Sequence, residues 1–394
     1  MKSSFQDEVR ELMKKNRRET DGYEYTVPSP KSYPYQWLWD SCFHAVIYSY
    51  IDIEAAKREL ESVVARQFEN GMLPHMIYWE KVDGMLDIEW GKEDTSTITQ
   101  PPIIGYAVCK VYEKSGDKKF LEKIYPKLWH YTRYLLNDRD PRGNHLIGII
   151  NPDESGEDDS PRFDVPLGLP PKHTLDENFK KRLALVEKNK ACNFDAPFCM
   201  KNNFWVKDVP FNAIMVEHLY RMQDLADELV RAEDKEYFSE QADKVKHAMR
   251  EKLLENGVMW PAYSEKYIKM KVATWAIFAP MLGKIYTNSE AEDIVENYLL
   301  SNDHFRTPFF LPTVSKSEES FDPDGFWRGP VWIFTNWMVY RGLLEYKMYG
   351  VAEQIRNSSM QLINKSGFRE HFNPFTGEGQ GAHNFTWGGL ILDM

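Results

Sequence analysis

Cysteine is scarce in this chain of 394 residues. The four cysteines, Cys42, Cys109, Cys192 and Cys199, form no Cys-x-x-Cys pair and no Cys/His spacing of the zinc type. We therefore expect no structural or catalytic metal, and nothing else in the sequence indicates a cofactor. Cys192 and Cys199 are near enough in sequence to form a bridge, but free thiols are the expectation for a cytoplasmic chain.

Long apolar runs are absent as well. No stretch approaches the roughly 18 apolar residues of a membrane-spanning helix, and the first segment, MKSSFQDEVRELMKK, lacks the apolar region of a signal peptide. These absences predict a soluble cytoplasmic protein with no membrane partner. The net charge is −11, and no Lys/Arg-rich stripe with interleaved aromatic residues is present. Since phosphate binding needs a basic face, a nucleic-acid partner is not expected.

The composition is that of a globular protein, with 42% hydrophobic and 28% charged residues. There is no low-complexity linker and no strict repeat, which favours a single domain over residues 1–394 with inserted loops. Three segments show no helical pattern overall: 70–97, 146–203 and 307–328. Loops of this length in a compact domain typically form a lid or a site wall. Within the second, residues 176–190 are helical in pattern, and their charges indicate a solvated excursion rather than core.

Helical periodicity recurs along the rest of the chain, with few convincing strand pairs. The predicted helices cover about 5–18, 41–53, 53–67, 98–114, 118–137, 210–227, 235–255, 272–282, 289–300, 330–349 and 351–364, and a shorter one lies near Thr386. Close to twelve helices in antiparallel pairs, with polar and aromatic loops between the pairs, favour a closed toroid of helical hairpins.

Two acidic clusters carry the chemistry. Residues 154–162 read ESGEDDSPR and residues 370–374 read EHFNP, and tryptophan and glycine lie near both. Cleavage of a glycosidic bond needs one carboxylic acid to protonate the leaving oxygen and a second carboxylate on the anomeric side. Aromatic rings offer flat apolar faces to sugars. We interpret the clusters as two halves of a glycosidase site; the alternative is two solvated acidic loops.

Two further motifs make a family resemblance visible. In chain order the four are YPYQWLWDSCFH (33–44), ESGEDDSPR (154–162), GFWRGPVW (325–332) and EHFNPFTGEGQGAHNFTW (370–387). Together they resemble the mannosylglycerate/glucosylglycerate hydrolases of glycoside hydrolase family 63 and, more remotely, the trehalases. The resemblance implies an all-α (α/α)6 toroid and an inverting hydrolase of a small α-glucoside or α-mannoside of the glycerate type. A trehalase or α-glucosidase acting on a neutral saccharide is the alternative.

The resemblance also assigns the catalytic roles. Asp158 matches the general acid and Glu370 the general base, while Glu157 and Asp159 are rivals for the acid because they lie beside it. Asp158 would have to stay protonated near neutral pH, while Glu370 stays ionised and holds a water molecule. Their carboxyl groups should lie about 6.5–9.5 Å apart in an inverting enzyme.

The substrate-binding residues come from the same comparison. Asp40 matches a residue that binds hydroxyls of the sugar, and Trp37 and Trp39 match residues that line its pocket; alternatively Asp40 caps a helix that begins near Ser41. The resemblance implies sugar or aglycone contacts for Tyr33, Tyr78, Gln100, Trp205, Phe326, Trp327, Arg328, Trp332 and Trp387. Arg328 could instead pair with an acid and position it, and His75 is either a pocket residue or a structural one. We expect the ring-walled pocket, closed by the loop after Asn70, to admit only small substrates.

One departure from the family concerns the aglycone. Where glycerate-specific members have an arginine for the glycerate carboxylate, this chain reads FWVKD (204–208) and offers only Lys207 nearby. A lysine pairs with a carboxylate as a point charge and not as a bidentate fork. If Lys207 points elsewhere, a neutral aglycone is expected to serve as well.

Two other classes fit the sequence less well than a hydrolase. A sugar epimerase would use histidines as acid and base, but only His44, His371 and His383 fall within the motifs, each beside a better-matched residue. A non-hydrolytic sugar-binding protein would need the aromatic rings without the two carboxylates. A small carbohydrate is the expected partner, and the sequence does not indicate the oligomeric state.

Overall fold

A computed structural model describes residues 4–20, 22–80 and 88–394 of the chain. Its α-helices are α1 (Phe5–Asn16), α2 (Leu38–Tyr48), α3 (Ile53–Ala65), α4 (Ile104–Ser115), α5 (Lys118–Asp138), α6 (Asp164–Leu167), α7 (Leu175–Ala191), α8 (Ala196–Asn202), α9 (Val209–Glu228), α10 (Ala232–Leu253), α11 (Asn288–Ile294), α12 (Ile333–Glu345) and α13 (Tyr349–Ser366). Shorter 3-10 helices cover Pro152–Ser155, Pro161–Phe163, Trp275–Met281 and Thr386–Asp393, and a π-helix covers Val295–Leu299.

Six helices form a closed inner ring. In order around the ring they are α2, α4, α9, Trp275–Met281, α12 and Thr386–Asp393, and the last packs on α2 again. Each inner helix has an outer partner: α3, α5, α10, α11, α13 and α1, in the same order. This is an (α/α)6 toroid, which confirms the predicted fold.

The helices of the inner and outer rings differ in how much of their surface is buried. Every residue of the inner helix α2 is buried, whereas the outer helix α3 buries one stripe that includes Ala56, Leu60 and Val63. Such a stripe at helical spacing marks a helix with one face on the core and one in water. The outer helix α3 is also capped by its own sequence, since Asp52 accepts a hydrogen bond from the Ala55 N–H.

Two helix starts differ from the prediction. Helix α2 begins at Leu38, three residues before the expected start, and α4 begins at Ile104 and not near 98. Two consecutive prolines, Pro101 and Pro102, explain the second difference, because proline donates no N–H and disfavours helix in the residue before it. Gln100 therefore lies in non-helical backbone ahead of α4.

Short strands are more frequent than the sequence suggested. They are β1 (Arg17–Thr20), β2 (Tyr23–Thr26), β3 (Gln36–Trp37), β4 (Met76–Ile77), β5 (Val206–Lys207), β6 (Leu254–Glu255), β7 (Val258–Met259), β8 (Ala262–Tyr263), β9 (Ile268–Lys269), β10 (Arg369–Phe372) and β11 (Gly379–His383). They pair as β1–β2, β3–β4, β6–β7, β10–β11 and the three-stranded β5–β8–β9. Pairing of β3 with β4 sets Trp37 opposite Met76, and so fixes the loop after Asn70 beside the first motif.

The second long loop is tied down covalently. Cys192 at the end of α7 is bonded to Cys199 of α8, with the two Cα atoms 5.6 Å apart. The expectation of free thiols at these positions was wrong, because the turn between the helices brings the two side chains together. Cys42 and Cys109 are buried free thiols.

Across the described ranges, no helix has the length and apolarity needed to cross a membrane.

Candidate active site

A cavity of about 500 Å³ gathers most of the predicted site residues. Twelve of them line it: Tyr33, Trp37, Trp39, Asp40, His75, Gln100, Asp158, Phe326, Trp327, Trp332, Glu370 and Trp387. The volume falls within the range of small-molecule sites. Loops from all three long segments contribute, although residues 81–87, part of the expected lid, lie outside the described residues.

Tryptophans form much of the wall. Trp327 and Trp332 stack with their ring centroids 3.8 Å apart, and Trp387 meets the ring of Trp39 edge to face at 5.4 Å. All four rings are buried, so they are held by packing and present fixed faces to the cavity. Such faces suit the C–H surfaces of a sugar ring.

Asp40 contributes a buried carboxylate to this wall. It lies in the first turn of α2, and its Oδ1 accepts a hydrogen bond of 2.6 Å from the Nε1–H of Trp387. Burial raises the pKa of Asp40 to about 6, while His44 and Trp387 act in the opposite direction. The capping alternative was wrong, because the N-cap position is held by Trp37. In the first turn of α2, the Oε1 of Gln100 accepts a hydrogen bond of 3.2 Å from the Trp39 N–H.

Glu370 is held at both carboxylate oxygens. It lies on β10, where its Oε1 accepts from the Tyr33 hydroxyl at 2.6 Å and its Oε2 from the Ala382 N–H at 2.7 Å. Burial raises the pKa of Glu370, and the two hydrogen bonds oppose that rise. Gly381 has φ +63°, and a Cβ there would lie 2.3 Å from Oε2, so only glycine fits behind this carboxylate.

Tyr33→Phe is expected to shift the pH dependence of any reaction that uses ionised Glu370. The hydroxyl stabilises the carboxylate, so its loss raises the pKa of Glu370 and moves the acid limb of kcat/KM to higher pH. A hydrogen bond to a charged group contributes enough free energy that its loss should lower kcat/KM on the acid limb on the order of tenfold. Initial rates measured across pH test this. An unmoved acid limb would contradict the role given to the Tyr33 hydroxyl.

Asp158 faces Glu370's cavity from the loop after the 3-10 helix Pro152–Ser155. Its side chain is 24% exposed. Burial raises the pKa of Asp158 to about 6; Arg182 lowers it, and Asp153 and Asp159 raise it further. The loop passes close to the sugar wall at Gly156, which has φ +74° and where a Cβ would lie 2.2 Å from the Trp39 ring.

The two neighbouring acids point away from the cavity. Glu157 is buried in an ion pair with Arg162 at 2.8 Å and accepts the Nε1–H of Trp275 at 2.8 Å. Asp159 is buried without a hydrogen-bond partner for either oxygen in the described structure, and its Oδ1 lies 3.6 Å from Nε2 of His173. Neither lines the cavity.

Arg182 is a cavity residue that sequence reasoning missed. It projects from α7 into the cavity, where its Nε donates to Asp153 Oδ2 at 3.0 Å and its NH1 pairs with Asp158. The interpretation of this helix as a solvated excursion was wrong, because one face is buried. That face comprises Asn178, Arg182, Leu185, Val186 and Asn189. Their helical spacing was the available signal.

Lys207, expected to replace the missing arginine, lies elsewhere. It is buried on β5, its ammonium donates to the Leu146 carbonyl, and it lies 3.7 Å from Asp140. Trp205, two residues earlier, packs with Arg142 and Tyr267. Neither residue lines the cavity, because Lys207 is held on β5 against β8 and Trp205 is held by its own packing.

Arg328 and Tyr78 also lie outside the cavity lining. Arg328 forms a bidentate pair with Asp164, at 3.0 and 2.7 Å, and donates to the Asp159 carbonyl at 3.2 Å. The alternative that Arg328 pairs with an acid is therefore the observed one, and it anchors the loop that carries Asp158. Tyr78 packs edge to face on Tyr35, 5.2 Å between ring centroids.

His75 lines the cavity with a neutral ring. Its Nδ1 lies 2.9 Å from the Ser96 hydroxyl, and burial lowers the pKa of His75 to about 4. As for metals, residues 4–20, 22–80 and 88–394 contain no group of three or more His, Cys, Asp or Glu side chains that could hold an ion.

Several known proteins are similar in sequence to this chain over nearly its full length. The family model described as the mannosylglycerate hydrolase MGH1-like glycoside hydrolase domain matches residues 33–388. A mannosylglycerate hydrolase of Thermus thermophilus is 31% identical, over 97% of this chain and 98% of that protein. Glucosylglycerate hydrolase of Mycolicibacterium hassiacum is 26% identical, over 93% of both.

Solved structures agree with the sequence comparison. The crystal structure of a GH63 mannosylglycerate hydrolase from Thermus thermophilus in complex with Tris and D-glycerate has a TM-score of 0.90 and 29% identity, covering 99% of this chain and 100% of that one. Neutral trehalase from Saccharomyces cerevisiae, at 13% identity and a TM-score of 0.63, shares the fold. The chain is a glycoside hydrolase and belongs to the MGH1-like family of mannosylglycerate hydrolases.

Proposed function

We propose that the chain is an inverting hydrolase of α-glucosides or α-mannosides of glycerate. The observation that carries this proposal is the position of Arg182, a cation in the cavity beside the carboxyl group of Asp158. A general acid contacts the bond between sugar and aglycone, so a cation next to it lies where the aglycone binds. Glycerate presents a carboxylate there.

The sugar end of the cavity suits one hexose. Trp39, Trp327, Trp332 and Trp387 offer apolar faces, and Asp40 offers a carboxylate that accepts hydrogen bonds from hydroxyl groups. With about 500 Å³ in all, the cavity has room for a hexose and a small aglycone and none for a long polysaccharide.

At the aglycone end of the cavity, the guanidinium of Arg182 can both attract and orient a carboxylate. A guanidinium binds a carboxylate through two parallel N–H donors, which gives both attraction and orientation. The Thermus structure contains D-glycerate, and the curated relatives hydrolyse mannosylglycerate or glucosylglycerate by name. Arg182 thus supplies, from α7, the arginine that is absent near Lys207. A neutral disaccharide would leave this cation without a partner in the substrate.

The proposed reaction is a single displacement. Asp158 donates its proton to the glycosidic oxygen as the bond between that oxygen and the anomeric carbon breaks, and glycerate leaves with its hydroxyl restored. Glu370 takes a proton from a water molecule whose oxygen bonds to the anomeric carbon from the opposite face. The sugar leaves in the β configuration, and the carboxyl groups should lie about 6.5–9.5 Å apart.

A matched set of substrates tests the proposal. Glucosylglycerate and mannosylglycerate are compared with glucosylglycerol, which replaces the carboxylate by a hydroxymethyl group, and with trehalose. We expect turnover of a glycerate glycoside to exceed that of its glycerol counterpart, and proton NMR of fresh reactions to show the β sugar first. An α sugar as first product would mean retention, and trehalose as the best substrate would favour the neutral alternative.

A further inference from the structure

Arg182 forms ion pairs with two carboxylates at once. Its guanidinium donates to Asp153 and pairs with Asp158, and the arginine side chain is only 10% exposed. An ion pair with arginine favours the ionised form of a carboxyl group. The proposed general acid must carry a proton when the reaction begins, so the partner that it has in the structure opposes its role.

Building on the proposed function, we infer that the substrate's own carboxylate prepares the general acid: it takes the place of Asp158 at Arg182, and Asp158 then binds a proton from solvent. The charges balance. Before binding, one guanidinium faces the carboxylates of Asp153 and Asp158. Afterwards it faces those of Asp153 and the substrate, and Asp158 is neutral. The local net charge is the same in both states, which matters because an uncompensated charge is costly in a site with little water.

The groups around Asp158 support this exchange. They are Asp153 on the preceding 3-10 helix, Asp159 next in the chain with His173 against it, Arg182 on α7, and Tyr33, Asp40 and Glu370 across the cavity. Arg182 is the cation that lowers the pKa of Asp158, whereas burial and the two neighbouring aspartates raise it. When Arg182 pairs with another anion, burial and the two neighbouring aspartates still act on Asp158, and they favour its protonated form. His75 near Arg182 is neutral, with a pKa of about 4, so it supplies no replacement charge.

Specificity follows from the same exchange. A glycoside with a neutral aglycone leaves Arg182 paired with Asp158, and the acid stays ionised above its pKa of about 6. Such a substrate should therefore suffer in kcat as well as in KM. A carboxylate that only added binding energy would improve both ground state and transition state and leave kcat unchanged.

Proton uptake on ligand binding is the direct test. D-Glycerate is titrated into the protein at pH 7 by calorimetry in buffers of different ionisation enthalpy, with glycerol as the neutral probe. We expect D-glycerate to bind with uptake approaching one proton, and Asp158→Asn to bind D-glycerate without uptake. Binding of D-glycerate to the wild-type protein with no proton uptake, or uptake that persists in Asp158→Asn, would overturn the inference. So would failure of D-glycerate to bind in the presence of saturating glucose.

Rate profiles give a second readout that separates this inference from the proposed function. With glucosylglycerate, the basic limb of kcat should lie at higher pH than that of kcat/KM, because the first reports the complex and the second the free enzyme. Arg182→Gln should lower kcat/KM for glucosylglycerate on the order of 10- to 100-fold. For glucosylglycerol the same variant should move the basic limb of kcat/KM to higher pH, because the cation that keeps Asp158 ionised is gone. Lys180→Gln, an exposed charge removed from the same helix, is the matched control and should change neither.

Two outcomes are distinct. Turnover of glycerate glycosides with coincident basic limbs for kcat and kcat/KM would sink the inference and leave the proposed function standing. Absence of turnover on glycerate glycosides would sink the proposed function itself.

Discussion

Glu370→Gln is expected to lower kcat on a glycerate glycoside by about 10²- to 10⁴-fold, the contribution typical of a positioned general base. The amide cannot accept a proton from the attacking water. It nevertheless fits the site, because its oxygen can accept from the Ala382 N–H while its NH2 group donates to the Tyr33 hydroxyl oxygen. Binding of substrate should therefore survive, and the loss should appear in kcat and much less in KM.

The leaving group makes this test sharper. An α-glycosyl fluoride needs no protonation of its leaving group, yet water must still be activated, so Glu370→Gln should be impaired on the fluoride as well. Thermal unfolding of the variant provides the control for folding. Activity on either substrate within about tenfold of wild type would contradict the role of Glu370 as base.

Local sequence patterns were sufficient for the ring of helices. Buried helices such as α2 read as mostly apolar segments, outer helices such as α3 read as amphipathic ones, and caps such as Asp52 mark their starts. Closure of the ring then brings the segments around Asp158 and Glu370 to one cavity. The order of the four motifs in the chain is consistent with one shared cavity, because a toroid places successive loops around one opening.

Sequence reasoning was weaker where a side chain's role depends on a long-range partner. Lys207 was chosen because it lies near an expected arginine in sequence, but strand pairing of β5 with β8 places it beside Asp140. Arg182 was overlooked because its helix is rich in charge. Its buried stripe only becomes meaningful when the helix packs against the acidic loop. The spacing of the stripe lies within a short window of sequence, but the partners of Lys207 and Arg182 do not.

Backbone detail had the same limit. The start of α2 at Leu38 puts Asp40 inside the first turn, and the partner that fixes its carboxylate is Trp387 near the other end of the chain. The bond between Cys192 and Cys199 likewise depends on the turn between α7, which was predicted over 176–190, and α8, which was not predicted. A pattern predicts an element, whereas these features require the elements to be assembled.

The structure also separates three adjacent acids that sequence alone could not. Glu157 is neutralised by Arg162, Asp159 is buried against His173, and Asp158 reaches the cavity. A turn at Gly156 orients the segment so that successive side chains leave in different directions. This difference allows the acid assignment to be tested residue by residue.

Asp158→Asn is expected to lose about 10²- to 10⁴-fold in kcat/KM on a glycerate glycoside, because the amide has no proton to give to the leaving oxygen. Its carbonyl oxygen can still accept a hydrogen bond from Arg182, so the loop should keep its place. On the α-glycosyl fluoride the loss should be small, since fluoride departs without protonation. The ratio of the two losses is therefore the diagnostic quantity, and Glu370→Gln should not show it.

Asp159→Asn is the matched control for this selective loss. It removes a neighbouring carboxyl group that lies outside the cavity but raises the pKa of Asp158, so the glycoside rate at neutral pH should fall modestly and recover at lower pH, while the fluoride rate should change little. Initial rates on both substrates, with unfolding midpoints for each variant, complete the comparison. Equal losses on the two substrates in Asp158→Asn would show that Asp158 only positions other groups. A selective loss in Asp159→Asn as large as that expected for Asp158→Asn, and not recovered at lower pH, would transfer the role of general acid to Asp159, because a lowered pKa of Asp158 alone is reversed at lower pH.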